Sequence, residues 1–422
     1  MRPLKVFKNK TVNNIISLSL VQGMNYILPL ITLPYLVRVL TVHGYGLLTF
    51  SVAFMQYFLI FTQFGFNYSA TQRIAEARDD KKERSKIFFS VLAAKLLFSI
   101  VSFSLLIIIT NQFSYFAEVK YIIWLSFIAV FGDVLFPIWF FQGEEKMSNI
   151  AIANISAKLS TVPFIFIFVK DSSDIAIAAL IMGSANLIAG ILALIKIVSS
   201  KRVSFCIPKI IHVWIEIKMS WHFFLSSAAM SLYTVSTPVL LGAICGPYVL
   251  GVFSAADKLR QALQGLLNPV SQALYPKITR MMRDQSNDIV FRFLRKLLAI
   301  QSTLGFMVSI ICCISAGVFI PMIYGKGGTQ EVIIVFQILS WVPFLVSISN
   351  VLGIQTLLTM GHKRVFSKVI IIGGVFNIVL ITLLAFNFQA EGAAVAILIT
   401  EAVITLCMMS AIFRLNIPLF KW

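Results

Sequence analysis

The 422-residue chain is 59% hydrophobic and only 12% charged, with a mean hydropathy of +0.90. A soluble domain carries about 25% charged residues, so the composition excludes one and indicates a polytopic membrane protein. The formal charge of +18 does not point to nucleic acid, because most positive residues fall in short connections between apolar runs, where membrane topology accounts for them.

Apolar runs of about 20 residues recur along the chain. They predict twelve transmembrane helices, at 12–37, 44–66, 87–110, 121–141, 149–169, 175–197, 219–243, 247–273, 297–324, 332–358, 369–388 and 393–413. The first run is too long for a signal-peptide core and lacks a small-residue cleavage site, so it is expected to remain as a span. Basic residues alternate from one connection to the next. One side carries 27 of them, from Arg2, Lys5, Lys8 and Lys10 through Arg73, Lys146, Lys209, Lys277 and Lys363 to Lys421, against Arg38, Lys120, Lys170 and Lys326 on the other. This bias predicts that both termini are cytoplasmic.

The segment 198–218 divides six spans from six, giving lobes 1–197 and 219–422 joined by a cytoplasmic linker. Six is even, so both lobes enter the membrane with the same orientation, as parallel repeats do. An offset of 203 residues matches Tyr45 with Tyr248, Leu47 with Leu250, Phe50 with Phe253, Ser51 with Ser254 and Ala53 with Ala256. Prolines interrupt many spans, among them Pro29, Pro34, Pro137, Pro163, Pro238, Pro269, Pro321 and Pro343, and each removes a backbone bond that neighbours must replace.

Charges inside spans are the informative residues, since each costs roughly 2.5 to 3.5 kcal/mol on insertion scales. In span 8, Asp257, Lys258 and Arg260 lie about 15 to 20 Å from its outer end. A helix carrying them is expected to line a charged, wet space rather than lipid. Asp257 and Arg260 share a face and are expected to pair, whereas Lys258 is about 200° round from Arg260. Lys95, Lys158 and Asp133 sit near one depth in spans 3, 5 and 4, so one lysine is expected to pair with Asp133 and the other is left over. Glu401 lies about 12 Å into span 12 and is open either to pairing with Lys258 or Arg260 or to binding a coupling ion. With Asp133 and Asp257 it is a candidate site for a coupling ion, H+ or Na+. Four intramembrane cations against three carboxylates leave a modest preference for anionic cargo.

No enzyme constellation is present. The four histidines lack ligand spacing or a partnered nucleophile, no phosphate-cradling glycine loop occurs, and no cofactor or metal is expected. The five cysteines lack metal-like spacing and are assigned to packing. The longest connections, about 20 to 25 residues, are too short for the catalytic segment of a membrane-bound polymerase or glycosyltransferase.

The stretches LPYLVRVL (33–40), GFNYSATQ (65–72), WFFQGEEKM (139–147), FSAADKL (253–259), ALYPKITRM (273–281), NVLGIQTLLTMGHKRVF (350–366) and EGAAVAILITEAV (391–403) resemble the Wzx-type polysaccharide-export flippases of the multidrug/oligosaccharidyl-lipid/polysaccharide exporter superfamily. One departure follows Arg38. The family commonly has leucine-glycine there and this chain has Leu40-Thr41, so the shape of that outer turn does not follow from the sequence.

The resemblance implies an all-α, MATE-like, V-shaped membrane fold in the bacterial inner membrane. It also implies a cargo of undecaprenyl-pyrophosphate-linked oligosaccharide moved to the periplasmic leaflet. Arg260, Lys258, Lys95 and Lys158 are the candidates for offsetting the diphosphate charge. Gln56, Tyr57, Gln63, Asn67, Tyr233 and Gln261 are candidates for meeting sugars, against the plainer alternative of interhelical hydrogen bonding. Membrane lipids and a polysaccharide polymerase complex are the expected partners. Cation-coupled efflux of small molecules and a non-catalytic role in a polysaccharide biosynthesis complex are the competing readings.

Overall fold

The computed structural model describes the backbone of residues 3–420. The side chains of 1–20, 22, 26, 226, 229–230, 232–234, 266–273, 275–277, 287, 326 and 421–422 lie outside the described residues. The readings for Arg2, Lys5, Lys8, Lys10, Tyr233, Pro269, Lys277, Lys326 and Lys421 fall there. Among the described residues the chain is helical, without strands. In the first half are α1 (Pro3–Gln63), α2 (Phe66–Glu76), α3 (Lys81–Gln112), α4 (Lys120–Ser126), α5 (Ile128–Leu135), α6 (Ile138–Gly143), α7 (Met147–Phe168) and α8 (Ile175–Ser199). Then follow α9 (Ile210–Asp284), α10 (Asn287–Tyr324), α11 (Gln330–Leu339), α12 (Val342–Asn350), a π-helical stretch (Val351–Leu358) and α13 (Lys363–Arg414).

Nine helical runs among the described residues are long and apolar enough to cross a bilayer. Rows of apolar side chains about one turn apart, such as Ile311, Ile314, Val318 and Met322 on α10 and Ile371, Val375, Val379 and Leu383 on α13, are exposed, as a surface meeting hydrocarbon requires. The chain is an all-helical, multi-pass membrane protein.

Three of the nine runs contain a break between two predicted spans. In α13 the break is a reversal. Residues 377 and 400 would lie about 34 Å apart on a straight helix, yet the Asn377 amide donates to Thr400 Oγ1 at 3.1 Å. A Cβ added at Gly373 would meet Ile404, and one at Gly392 would lie 2.2 Å from the Leu384 carbonyl oxygen. These pairs centre on Gln389, whose φ of 47° and ψ of −126° turn the chain between two antiparallel arms. The other two breaks are Thr41 (φ 64°, ψ 169°) and Gly246 (φ 85°, ψ 176°), nearly identical in conformation.

The chain divides into two units, Met1–Thr32 with Leu47–Val235 and Leu33–Gly46 with Ser236–Trp422. In the first, Phe66, Ile74, Phe88, Trp139, Phe140 and Phe141 form the centre of the core. The WFFQG turn supplies three of them. A Cβ on its Gly143 would sit 2.7 Å from Ile74, so glycine lets α6 close on α2. In the second unit Ile278, Phe291, Leu294, Leu352, Ile404 and Met408 pack together.

Within the second unit two helix starts cross at backbone contact. A Cβ at Gly46 would lie 1.8 Å from the Pro247 carbonyl oxygen, and one at Gly251 would lie 1.9 Å from that of Val42. The contact is reciprocal, and its pairs (46 with 251, 42 with 247) share with the breaks (41 with 246) an offset of 205 residues. The offset of 203 matched in the sequence is therefore two residues short. Its identities reflect apolar composition, whereas the structural correspondence rests on a turn and two glycines.

Gly246 has nothing within 4 Å of its absent Cβ, so its conformation is what calls for glycine. Thr41 adopts a similar conformation with a β-branched side chain, at a cost of about 1 to 3 kcal/mol. Its hydroxyl accepts only a long 3.5 Å bond from the Gly44 N–H in return. Thr41→Gly is therefore expected to raise the stability of the detergent-solubilised protein by about 1 kcal/mol, read as a higher thermal midpoint. Thr41→Val, which keeps the strain and loses the bond, is expected to lower it.

Candidate functional site

In the first unit, α3 carries Lys95, α5 carries Asp133 and the end of α1 carries Gln63. Lys95 Nζ donates to Asp133 Oδ2 at 3.0 Å and to the Asp133 carbonyl oxygen at 2.6 Å, while Gln63 Nε2 donates to Oδ1 at 3.0 Å. That carbonyl is available because the residue four positions on is Pro137, which has no N–H. The helix breaks at Phe136–Pro137, and the ammonium group fills the acceptor the break leaves, beside a 3.1 Å bond from the Phe136 N–H. Gly132 allows the approach of α8 alongside, since a Cβ there would lie 2.3 Å from the Leu187 nitrogen. Lys95 is only 2% exposed. It is the lysine that pairs with Asp133.

Lys158, on α7, is the cation left over. It is half-buried and donates to the side-chain oxygen of Asn25. Among the described residues no carboxylate lies within ion-pair distance of it. Gln56 and Tyr57 are half-buried on the second arm of α1, and Asn67 is half-buried in the first turn of α2. Gln63, grouped with the sugar-facing candidates, is committed to Asp133 instead.

In the second unit Asp257 and Arg260 are satisfied along one helix. On α9, Asp257 accepts from Arg260 Nε at 2.6 Å and from Gln261 Nε2 at 2.6 Å. Arg260 Nη1 donates to Gln264 Oε1 at 2.6 Å, and Lys258 Nζ reaches Gln261 Oε1 at 3.4 Å. The expected Asp257–Arg260 pair forms. The Gln261 amide links Lys258 to it despite their angular separation. Asp257 is buried, Arg260 half-buried and Lys258 exposed. Glu401, half-buried on the second arm of α13, lies within electrostatic reach of Arg260. Among the described residues no side chain donates to its carboxylate.

Asn25 and Gln264 escaped the sequence reading. Their signal was an amide within a predicted span and a glutamine one turn after Arg260. A second omission is Glu144 of the WFFQGEE stretch. It is buried and faces Arg84 at 3.7 Å, Lys146 at 3.6 Å and Arg202 within hydrogen-bond distance. These contacts tie the first turn of α3 to the loops after α6 and α8.

Removing one member of a buried ion pair strands the other at a cost of about 3 to 5 kcal/mol. Asp133→Ala is accordingly expected to lower the yield and thermal midpoint of the purified protein sharply. Lys95→Met combined with Asp133→Leu should recover most of that loss, and a double variant no more stable than Asp133→Ala alone would show that the pair is not the cause.

The family described as "Polysaccharide biosynthesis protein" matches residues 11–282. A protein of Escherichia coli (strain K12) named "Putative O-antigen transporter" is 38% identical over 397 residues, covering 94% of this chain and 95% of the relative. Among solved structures, "Lipid II flippase MurJ, inward closed conformation" superposes with a TM-score of 0.66 at 16% identity, covering 96% of this chain and 87% of that one. An inward-facing multidrug resistance MATE family transporter of the MOP superfamily superposes with a TM-score of 0.66 at 13% identity, covering 96% and 98%. At such identities the likeness is one of fold. The length and identity shared with the E. coli relative, together with the match over residues 11–282, place the chain in the polysaccharide biosynthesis protein family.

Proposed function

We propose that the chain is a transporter, not an enzyme, and that it flips a lipid-linked oligosaccharide across the membrane. The cargo is an undecaprenyl-pyrophosphate-linked repeat unit moved from the cytoplasmic to the periplasmic leaflet of a bacterial inner membrane, with both termini cytoplasmic. The name of the E. coli relative supports polysaccharide cargo, and the fold likeness to a lipid II flippase supports a lipid-linked one. A MATE transporter of this fold described as inward-facing supports alternating access, here by the lobes 1–197 and 219–422.

The observation that carries the proposal is chemical. Lys158 in one unit and Lys258 in the other lie within spans and bond only amide oxygens among the described residues. A cation at bilayer depth without a carboxylate suits an anion that comes and goes. Arg260 joins them, because a guanidinium braced by Asp257 and Gln264 presents a fixed fork to phosphate oxygens. Lys95 belongs to the ion pair that holds the first unit. Gln56, Tyr57 and Asn67 remain the candidates for sugar contact. Of the three coupling candidates, Asp133 and Asp257 each accept from two side chains, so Glu401 has the carboxylate best suited to exchange H+ or Na+. Efflux of cationic drugs, the competing use of this fold, fits poorly with cations at the site.

In cells, Arg260→Ala is expected to abolish surface polysaccharide at unchanged protein level, while Arg260→Lys, which keeps the charge and loses the fork, retains part of it. Normal polysaccharide in the alanine variant would remove Arg260 from the site. Restored polysaccharide with drug sensitivity in place of the polysaccharide defect would favour efflux.

A further inference from the structure

The connection between α8 and the predicted seventh span, read from sequence as a cytoplasmic linker, is held on the first unit from one side. Val203, Val213 and Ile217 pack against the first core, and polar bonds are set among them. Glu216, whose side chain is 3% exposed, pairs with Arg73, which also holds Glu83 at 3.1 Å. Ser220 bonds Ser69 at 2.6 Å, Arg84 donates to the Arg202 carbonyl oxygen at 2.8 Å, and the Ser204 N–H donates to Ser85 Oγ at 2.8 Å. These bonds fix which face of the segment is turned away from the protein.

The outward face is apolar. Phe205 is 83% exposed, Ile207 78%, Ile210 87% and Trp214 62%, with Ile211 and Ile215 beside them. A set of large apolar side chains left outward, while Val213, Ile217 and the polar anchors hold the opposite face to the protein, has no stable partner in water. The length of α9 sets its depth. From Ile210 to the break at Gly246 the helix runs about 54 Å, well beyond a hydrocarbon core of about 30 Å. Ile210 lies nine residues, about 13 Å, before the predicted span begins at Met219. That distance is the headgroup zone. Lys196, Lys201, Lys209 and Lys218, all exposed, surround the apolar patch, and their charge complements an anionic leaflet.

We propose that residues 205–215 are a membrane-interface anchor, seated in the headgroup region of an anionic leaflet with Phe205, Ile207, Ile210 and Trp214 reaching the acyl boundary. The occupant of the patch is the lipid surface. The segment thereby tethers the connection between α8 and α9 to the bilayer, independently of the cargo and its site.

The test uses the full-length protein in phosphatidylcholine vesicles with and without phosphatidylglycerol. The fluorescence that disappears in Trp214→Phe isolates the Trp214 signal from the other tryptophans. That component is expected to be quenched by lipids brominated near the top of the acyl chain and protected from aqueous iodide, with protection greater when phosphatidylglycerol is present. Ile207→Asp with Ile210→Asp should turn it iodide-accessible, and the remaining tryptophan emission serves as the check on folding. Quenching of Trp214 by iodide and not by brominated lipid in the native protein would overturn the proposal. So would protection from both quenchers, which is the mark of a protein partner on the patch. Neither result bears on Arg260 or on transport, so the two proposals fail separately.

Discussion

An ionised side chain at bilayer depth persists only when protein groups replace the water it has lost. The two units meet that constraint in different ways. In the first, Lys95 is buried between α3 and α5, holding both a carboxylate and a carbonyl oxygen that Pro137 leaves without its helical donor. The pair therefore fixes one helix against another. In the second, Asp257, Arg260, Gln261 and Gln264 satisfy one another along α9. Among the described residues the hydrogen bonds of this ladder stay on α9, while Glu401 of α13 lies within electrostatic reach of Arg260.

The same distinction organises the packing. Where backbones must touch, the chain uses glycine for space, at Gly46, Gly132, Gly143 and Gly251. Where the chain must turn within a residue or two, it uses conformation, at Gly246 and, less comfortably, at Thr41 and Gln389. The WFFQG turn then fills the first core with three aromatic rings, and the following Glu144 gathers Arg84 of α3, Lys146 of its own loop and Arg202 of the loop after α8. One short stretch of sequence thus couples an apolar wedge to a polar clasp.

Much of this was legible in the residues. Hydropathy indicated an all-helical multi-pass membrane protein, and three-residue spacing foretold the Asp257–Arg260 pair, because both signals depend on local geometry. The choice of Lys95 over Lys158 as the partner of Asp133 was not legible. It depends on a carbonyl freed by Pro137, a tertiary consequence of a local break. For Gln63 the sequence left sugar contact and interhelical bonding open, since an amide in a span suits either until its neighbour, here Asp133, is known. The repeat register also escaped, as apolar identities match by chance whereas the reciprocal contact of Gly46 and Gly251 appears only once the helices cross. The outward direction of the isoleucines in 207–215 does not follow from the sequence either, since it is fixed by bonds to α2 and α3 that no periodicity reveals.

The functional reading turns on whether Lys158 and Lys258, which bond only amide oxygens among the described residues, serve a negatively charged headgroup. The most direct measurement reconstitutes the full-length protein in liposomes and follows two labelled glycolipids between leaflets, one with its oligosaccharide on a polyprenyl diphosphate and one with the same sugars on a neutral lipid. The diphosphate lipid should cross and the neutral one should not, and a variant combining Lys158→Gln with Lys258→Gln, inserted to the same level, should lose the transfer. Equal movement of both lipids, or undiminished transfer by that variant, would contradict a role for these cations in recognising the cargo.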